Sequence, residues 1–128
     1  LPACKPEAIW EYLEAADIFA FPSLKEGMPN ALLEAMISGL PSVTFDIPAF
    51  SDLLQYDSKA LVAVESFNYQ KFFDGLMLLS EDHALRESMG NRGKKLIQES
   101  FSMSQNMRVA LHSLMSMAKS RTVRELGR

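Results

Sequence analysis

Two glutamates that enclose seven residues mark the stretch of this sequence best suited to chemistry. Glu26 and Glu34 lie on either side of Gly-Met-Pro-Asn-Ala-Leu-Leu. If a helix begins between them, its first amides and its dipole would attract an anion such as a phosphate. The carboxylates would repel a phosphate, but they suit hydroxyl groups on either side of it, those of a sugar and of a ribose. The alternative from spacing alone is that both are solvated surface glutamates, as most glutamates are.

The residues around the two glutamates predict a loop that turns into a helix. Gly27 allows a bend or a close approach to a ligand, and Pro29 suits the first helical position because it lacks an amide hydrogen. The free amides between Gly27 and Ala31 would then bind the anion. Gly39 suits the position just past the helix end, and Pro41 prevents continuation. The apolar side of this helix comprises Leu32, Leu33, Met36 and Ile37, and the other side comprises Asn30, Ala31, Glu34 and Ser38.

Three short segments predict the parallel sheet that must position this stretch. The first strand, near 18–22, contains the apolar run 18–21 without polar alternation, which is typical of a parallel strand covered on both faces. Residues 42–45 form a second strand of the buried type, and residues 61–64 are a third strand candidate. A short helix over residues 6–15 precedes the first of them. Ligands of open α/β sheets bind beyond the carboxyl ends of the strands, where the loop carrying Glu26 would lie. The fold class predicted is therefore α/β, with about three parallel strands flanked by helices.

The second half of the sequence predicts mainly helices. Residues 68–79 form one candidate, and Ser80 and Asp82 both offer an N-cap for a longer helix that runs to about residue 99. Gly90 and Gly93 are expected to weaken the middle of that helix, because glycine is a poor helix former.

Composition bounds the class of protein and the kinds of partner. A chain of 128 residues with 48% hydrophobic and 23% charged residues suffices for one globular domain, and its net charge of −3 argues against nucleic-acid binding. Cys4 is the one cysteine of the sequence, so an internal disulfide is excluded. No apolar run reaches the ~18–20 residues of a membrane span, and no signal peptide is visible. These features predict a cytoplasmic protein. His83 and His112 are isolated, so no metal site is predicted. A final helix is expected over 102–117, and the basic residues of 119–128 suit a solvated tail or contact with the inner membrane surface.

The order of several independent elements resembles the retaining glycosyltransferases of family 4, also called group 1, which have the GT-B fold. The elements are Ala16-Asp17, an apolar strand, Pro22-Ser23, Glu26-Gly27, the second glutamate at 34, Gly39-Leu-Pro41 and a second apolar strand. The similarity is strong over residues 17–46 and weaker out to residue 101. It implies that the two glutamates form the E-x7-E motif, with Glu26 as the catalytic residue that contacts the donor sugar and Glu34 as the ribose ligand. Donor binding is thereby implied for Glu26, Gly27, Met28, Pro29, Asn30, Ala31 and Glu34.

Two positions depart from the family pattern. After the second strand, relatives commonly have a glycine pair followed by a glutamate, whereas this sequence has Pro48 and Ala49 and then Asp52. Asp52 either replaces the glutamate or only caps a short helix over 51–55. Before the third strand, Lys59 and Ala60 occupy the place of a glycine.

The resemblance implies a chain that is part of a larger enzyme. Residues 1–118 would be the later part of the C-terminal, nucleotide-sugar-binding domain, followed by the basic tail 119–128. The start at Leu1 fits a fragment. The N-terminal acceptor-binding domain and the basic residues that neutralise the donor diphosphate would lie elsewhere, so the isolated fragment should be inactive. The parent would transfer a sugar from a nucleotide-sugar donor to an acceptor hydroxyl with retention, in polysaccharide or glycoconjugate biosynthesis, without a metal or another cofactor.

Other functions stay open at this point. The parent could be another GT-B enzyme, such as a sugar epimerase or a phosphorylase, or the chain could be a non-catalytic nucleotide-binding or interaction module. The acceptor is not defined by the sequence. Because the strand over 18–21 would lack a neighbour in an isolated fragment, we expect the fragment to form a homodimer that covers this edge or the helix over 6–15.

Overall fold

A sheet of three short parallel strands carries the fold. The structure is a computed structural model that describes residues 6–27, 29–48 and 55–101, without the side chains of Pro6, Glu7 and Phe101. The predicted features at Cys4, Met28, Asp52, His112, 102–117 and 119–128 therefore lie outside the described residues. The elements are α1 (Pro6–Ala15), β1 (Phe19–Phe21), α2 (Asn30–Ile37), β2 (Ser42–Phe45), β3 (Val62–Val64), α3 (Tyr69–Glu81) and α4 (His83–Phe101).

The strands are ordered β1-β2-β3 and all of them run parallel. Phe19 of β1 is level with Ser42 of β2, and Val43 of β2 is level with Val62 of β3. The predicted α/β class, with three parallel strands and flanking helices, is confirmed. Since the strands are parallel, their carboxyl ends meet at one edge of the sheet.

The core forms around β2, whose four residues are all buried. Phe45 packs its ring against that of Phe72 in α3, with centroids 5.1 Å apart. Gly75 of α3 lets this helix lie close to the sheet, because a Cβ at this position would be 3.2 Å from a methyl group of Val43. Because the strand is enclosed in this way, its polar residues Ser42 and Thr44 are buried as well. The buried residues of the core are Leu32, Leu33, Met36, Val43, Phe45, Ile47, Ala60, Leu61, Phe72, Leu79, Met89, Leu96 and Ile97.

A second buried cluster joins α1 to α2. Leu13 of α1 packs with Ala35 and Leu40, and Trp10 and Phe19 lie against this cluster. This contact places α1 beside β1, which is an edge strand of the described sheet. The expected homodimer at this edge stays a prediction.

The ends of α2 follow the sequence signals with one shift. Pro29 is the N-cap residue, with φ −82° and ψ 64°, and is not the first helical residue as predicted. At the other end Gly39 adopts φ 85°, a left-handed conformation that glycine adopts without steric cost. Its amide donates to Met36 O at 3.0 Å, and the Leu40 amide donates to Ala35 O at 3.0 Å. These two bonds form the Schellman motif that ends a helix.

The boundary between α3 and α4 is set by hydrogen bonds. The Leu85 amide donates to Asp82 Oδ1 at 2.8 Å, so Asp82 is an N-cap of α4 as predicted. Ser80, the other candidate, instead donates its hydroxyl to Met77 O at 2.7 Å. Arg86 reaches back to the end of α3 and donates to Leu79 O at 2.6 Å and to a second carbonyl at 3.0 Å.

The glycines of α4 are contact points between elements, a role in addition to the low helix propensity expected of them. A Cβ on Gly90 would collide with the carbonyl oxygen of Gly39, and a Cβ on Gly93 would be 3.3 Å from Ala60 O. Each glycine therefore lets the backbone of α4 approach a loop that leads into the sheet. No helix within the described ranges is long and apolar enough to span a membrane.

Candidate functional site

The loops that follow the three strands meet at the carboxyl edge of the sheet. The Asp46 amide, just after β2, donates to Val64 O at the end of β3 at 2.6 Å. The Ser66 hydroxyl, after β3, donates to Asp46 O at 2.9 Å. The loop after β1 emerges at the same edge and leads into α2. The stretch singled out from the sequence therefore lies where open α/β sheets bind their ligands.

Glu26 lies in the loop between β1 and α2 and is half-buried. Ser23 Oγ donates a hydrogen bond to Glu26 Oε1 at 2.6 Å. No role was expected for Ser23 from the sequence beyond its place in the Pro22-Ser23 element. The sequence does contain a signal, a serine three residues before a glutamate. This spacing can place the serine hydroxyl within hydrogen-bond distance of the carboxylate.

The N-terminus of α2 presents backbone amides beside this loop. The first helical hydrogen bond runs from the Leu33 amide to Pro29 O at 3.1 Å. The amides of Asn30, Ala31 and Leu32 precede it, and amides in the first turn of a helix have no partner within the helix. Asn30 and Ala31 are exposed, and Pro29 has no side-chain acceptor that could cap the turn. These amides and the helix dipole form a site that favours an anion.

Gly27 provides open space before this helix. Apart from Gly27 and its two neighbours in the chain, no described atom lies within 4 Å of the position that a Cβ on Gly27 would occupy. The chain around it therefore does not require a glycine for its own packing. The space remains available for a group that approaches the backbone.

Glu34 lies in the second turn of α2, about 6 Å along the helix axis from Asn30. It is half-buried, and burial raises its pKa because a low-dielectric environment disfavours the charged carboxylate. Ser38 donates its hydroxyl to the backbone oxygen of Glu34 at 2.9 Å, not to the carboxylate. Within the described part of the chain the carboxylate has no hydrogen-bond partner, so it can accept a bond from a ligand hydroxyl.

Positive charge is scarce around these groups. Lys25 is exposed in the same loop, and the structure gives its ammonium no carboxylate partner within the described ranges. No group of three His, Cys, Asp or Glu side chains in residues 6–27, 29–48 and 55–101 could hold a metal ion. The prediction that no metal or other cofactor takes part stays a prediction.

A cavity of about 660 Å³ lies away from this stretch. It is lined by Tyr56, Asp57 and residues of α4 between 88 and 100, among them Arg92. Arg92 forms an ion pair with Asp57 at 2.7 Å. Hydrogen bonds from the Lys59 amide and, secondly, from Arg92 lower the pKa of Asp57. None of the predicted donor-binding residues lines the cavity, so it is separate from the stretch at the sheet edge.

Comparison with known proteins identifies similar sequences. The model of the family described as glycosyl transferases group 1 matches residues 1–96. A UDP-Gal:alpha-D-GlcNAc-diphosphoundecaprenol alpha-1,3-galactosyltransferase of Escherichia coli is 32% identical over 85 residues, which are 66% of this chain and 22% of that protein. The capsular polysaccharide biosynthesis glycosyltransferase CapM of Staphylococcus aureus is 27% identical over 86 residues, 67% of this chain and 22% of that protein.

A third relative comes from Campylobacter jejuni. It is an N-acetylgalactosamine-N,N'-diacetylbacillosaminyl-diphospho-undecaprenol 4-alpha-N-acetylgalactosaminyltransferase, 31% identical over 85 residues, 66% of this chain and 23% of that protein. The chain therefore spans less than a quarter of the length of these relatives. No solved structure shows a significant match.

Proposed function

The chain belongs to the group 1 glycosyltransferases, and on that premise we propose that it is the later part of the donor-binding domain of a retaining glycosyltransferase of family 4. The enzyme transfers a sugar from a nucleotide-sugar donor to an acceptor hydroxyl. The observation that carries the proposal is the N-terminus of α2, which opens at the carboxyl edge of the sheet between two half-buried glutamates. In this proposal residues 1–118 belong to the domain and 119–128 form its basic tail.

Each part of this arrangement suits one part of the donor. The amides at the start of α2 carry partial positive charge and stabilise the charge that develops on the departing diphosphate. This anion-binding segment consists of Gly27, Met28, Pro29, Asn30 and Ala31. Glu26 is the catalytic residue that orients the sugar hydroxyls, and Glu34 holds the ribose hydroxyls as the second glutamate of the E-x7-E motif.

The charges explain why the two glutamates flank the phosphate site without entering it. A carboxylate close to the diphosphate would repel it, whereas a hydroxyl donates to a carboxylate in a strong, charge-assisted hydrogen bond. Diphosphate neutralisation then falls to the helix N-terminus and to basic residues of the enzyme beyond this chain. We propose on this ground that the reaction needs no metal.

The names of relatives suggest the kind of acceptor. Two of them are named for substrates linked to diphosphoundecaprenol, and one for capsular polysaccharide. We propose that the acceptor is a lipid-linked sugar in polysaccharide or glycoconjugate biosynthesis. A cytoplasmic enzyme that works at the inner membrane surface would meet both this acceptor and a nucleotide-sugar donor.

Alanine substitutions in the complete enzyme test the roles of the two glutamates. Glu34→Ala should weaken the binding of the nucleotide diphosphate by ~1.5–3 kcal/mol, the contribution of a hydrogen bond to a charged group. Calorimetry with uridine and guanosine diphosphates measures this loss. Glu26→Ala should lower kcat for sugar transfer more than it lowers donor affinity, because its hydrogen bonds serve the transferred sugar.

Glu87→Ala is the matched control, since Glu87 is an exposed glutamate on α4. It should leave both binding and turnover unchanged. If Glu26→Ala and Glu34→Ala behaved like this control, the assignment of the motif would be wrong. Turnover of a nucleotide-sugar without an acceptor, or consumption of orthophosphate, would instead indicate an epimerase or a phosphorylase.

A further inference from the structure

We propose that Ser23 is a positioning residue that holds the carboxylate of Glu26 in the orientation needed for sugar transfer. The inference rests on the proposed function, in which Glu26 contacts the donor sugar. It adds a residue outside the E-x7-E motif and assigns it a role that acts through Glu26 and not through contact with the substrate.

The evidence is the hydrogen bond between the two side chains. Ser23 Oγ lies 2.6 Å from Glu26 Oε1, a length typical of a hydroxyl that donates to a carboxylate. The same hydroxyl is 3.4 Å from Lys25 O. A hydroxyl has one proton to donate, and the shorter contact shows that it goes to Glu26. Both side chains are half-buried, which limits competition from solvent.

This bond occupies one oxygen of the Glu26 carboxylate and leaves the other oxygen available to a ligand. Glu26 Oε1 accepts from Ser23, and within the described part of the chain the structure gives the carboxylate no other hydrogen bond. A carboxylate oxygen can accept two bonds, so Oε2 keeps its full capacity for a sugar hydroxyl. Ser23 thus fixes the carboxylate without competing with the substrate for the same oxygen.

The position of Ser23 in the chain makes it a suitable anchor. It follows Pro22, which follows the last residue of β1, and proline restricts the backbone just before the serine. Glu26 lies three residues further along a loop and has three rotatable side-chain bonds of its own. Without the bond, the glutamate would lose this conformational freedom only when the donor binds, at a cost to catalysis.

Kinetics of the complete enzyme with Ser23→Ala, Ser23→Thr and Ser80→Ala test the proposal. Ser23→Ala should lower kcat about tenfold, in line with a hydrogen bond to a charged group, with a small change in KM for the donor. Ser23→Thr keeps the hydroxyl and should recover most of the activity. Ser80→Ala is the matched control, because that serine donates only to a backbone carbonyl of α3 and lies outside the site.

A double-substitution cycle with Glu26→Ala separates positioning from a structural effect. If Ser23 acts through Glu26, then Ser23→Ala should cause no further loss in the Glu26→Ala background, measured by single-turnover transfer with enzyme in excess. An equal loss in both backgrounds would overturn the proposal, because the serine would then act without the glutamate. Full activity of Ser23→Ala beside an impaired Glu26→Ala would overturn this inference alone, whereas full activity of Glu26→Ala would overturn the proposed function as well.

Discussion

The contact between Gly90 and Gly39 predicts that alanine at position 90 destabilises the protein. Glycine in the middle of an exposed helix costs about 0.5–1 kcal/mol relative to alanine, so Gly90→Ala would be stabilising if the site were open. The added methyl group would instead collide with the carbonyl oxygen of Gly39. The outcome therefore depends on whether that oxygen can move.

The geometry of the α2 terminus shows that this oxygen is held in place. The amide of Gly39 donates to Met36 O, and the amide that follows the Gly39 carbonyl, that of Leu40, donates to Ala35 O. The same Schellman motif fixes the φ of Gly39 at 85°. Overpacking of a well-packed contact costs about 1–3 kcal/mol, and a restrained backbone atom favours the upper part of this range. After the gain in helix propensity, we expect a net loss of about 1–2 kcal/mol.

Urea denaturation followed by circular dichroism measures this loss, provided that the m-value is unchanged. Asn91→Ala, at the exposed next position of the same helix, is the control and should gain a few tenths of a kcal/mol from helix propensity alone. A midpoint for Gly90→Ala equal to or above that of the unmodified protein would refute the argument. It would mean that α4 can move away from α2 at little cost.

Two further predictions concern charged side chains. Burial raises the pKa of Glu34 from its ordinary value of 4.5. The folded state therefore binds the carboxyl proton more tightly than the unfolded state does. The stability of the fold decreases as the pH rises from 4.5 through the raised pKa. Glu34→Gln should therefore unfold at a higher temperature than the unmodified protein at about pH 8 but not at about pH 4, and an equal difference at both pH values would contradict this. Arg86→Ala should lower the free energy of unfolding in urea by about 1–2 kcal/mol, since two hydrogen bonds to the last carbonyls of α3 are lost. Lys94→Ala, at an exposed position of α4, is its control. Equal urea midpoints for the two variants would disprove the capping role of Arg86.

The bounds of some helices and strands could be predicted because they depend on interactions between residues that are close in the sequence. The strand over 42–45 and the helix over 6–15 were predicted with the bounds that the structure shows. A glycine-x-proline turn before a strand and a proline at the start of a helix are both recognised within a few residues. Pro29 was predicted to be the first helical residue of α2 but is its N-cap. The two positions differ only in backbone dihedral angles, and proline is compatible with both.

Contacts between distant residues could not be predicted in this way. Gly90 was expected to weaken α4, because its partner Gly39 lies far away in the sequence and only the packed helices bring them together. In the candidate site, the glutamates and the helix start were visible from spacing, and their assignment to a donor remains a proposal. The bond from Ser23 to Glu26 was missed although the two are close in sequence, since a loop conformation decides whether they meet.

If the proposed donor site is correct, Gly27 is a residue that the folded chain can do without and that donor binding cannot. Apart from the two adjacent residues, a methyl group there would meet no described atom of the protein, so in the proposed site its steric cost would fall on the bound donor. Cellular quality control acts on unfolded molecules, and it would leave such a variant untouched. Under the proposed function, a cell carrying Gly27→Ala would keep normal amounts of the protein, and the defect would be visible in the glycan product but not in the abundance of the protein.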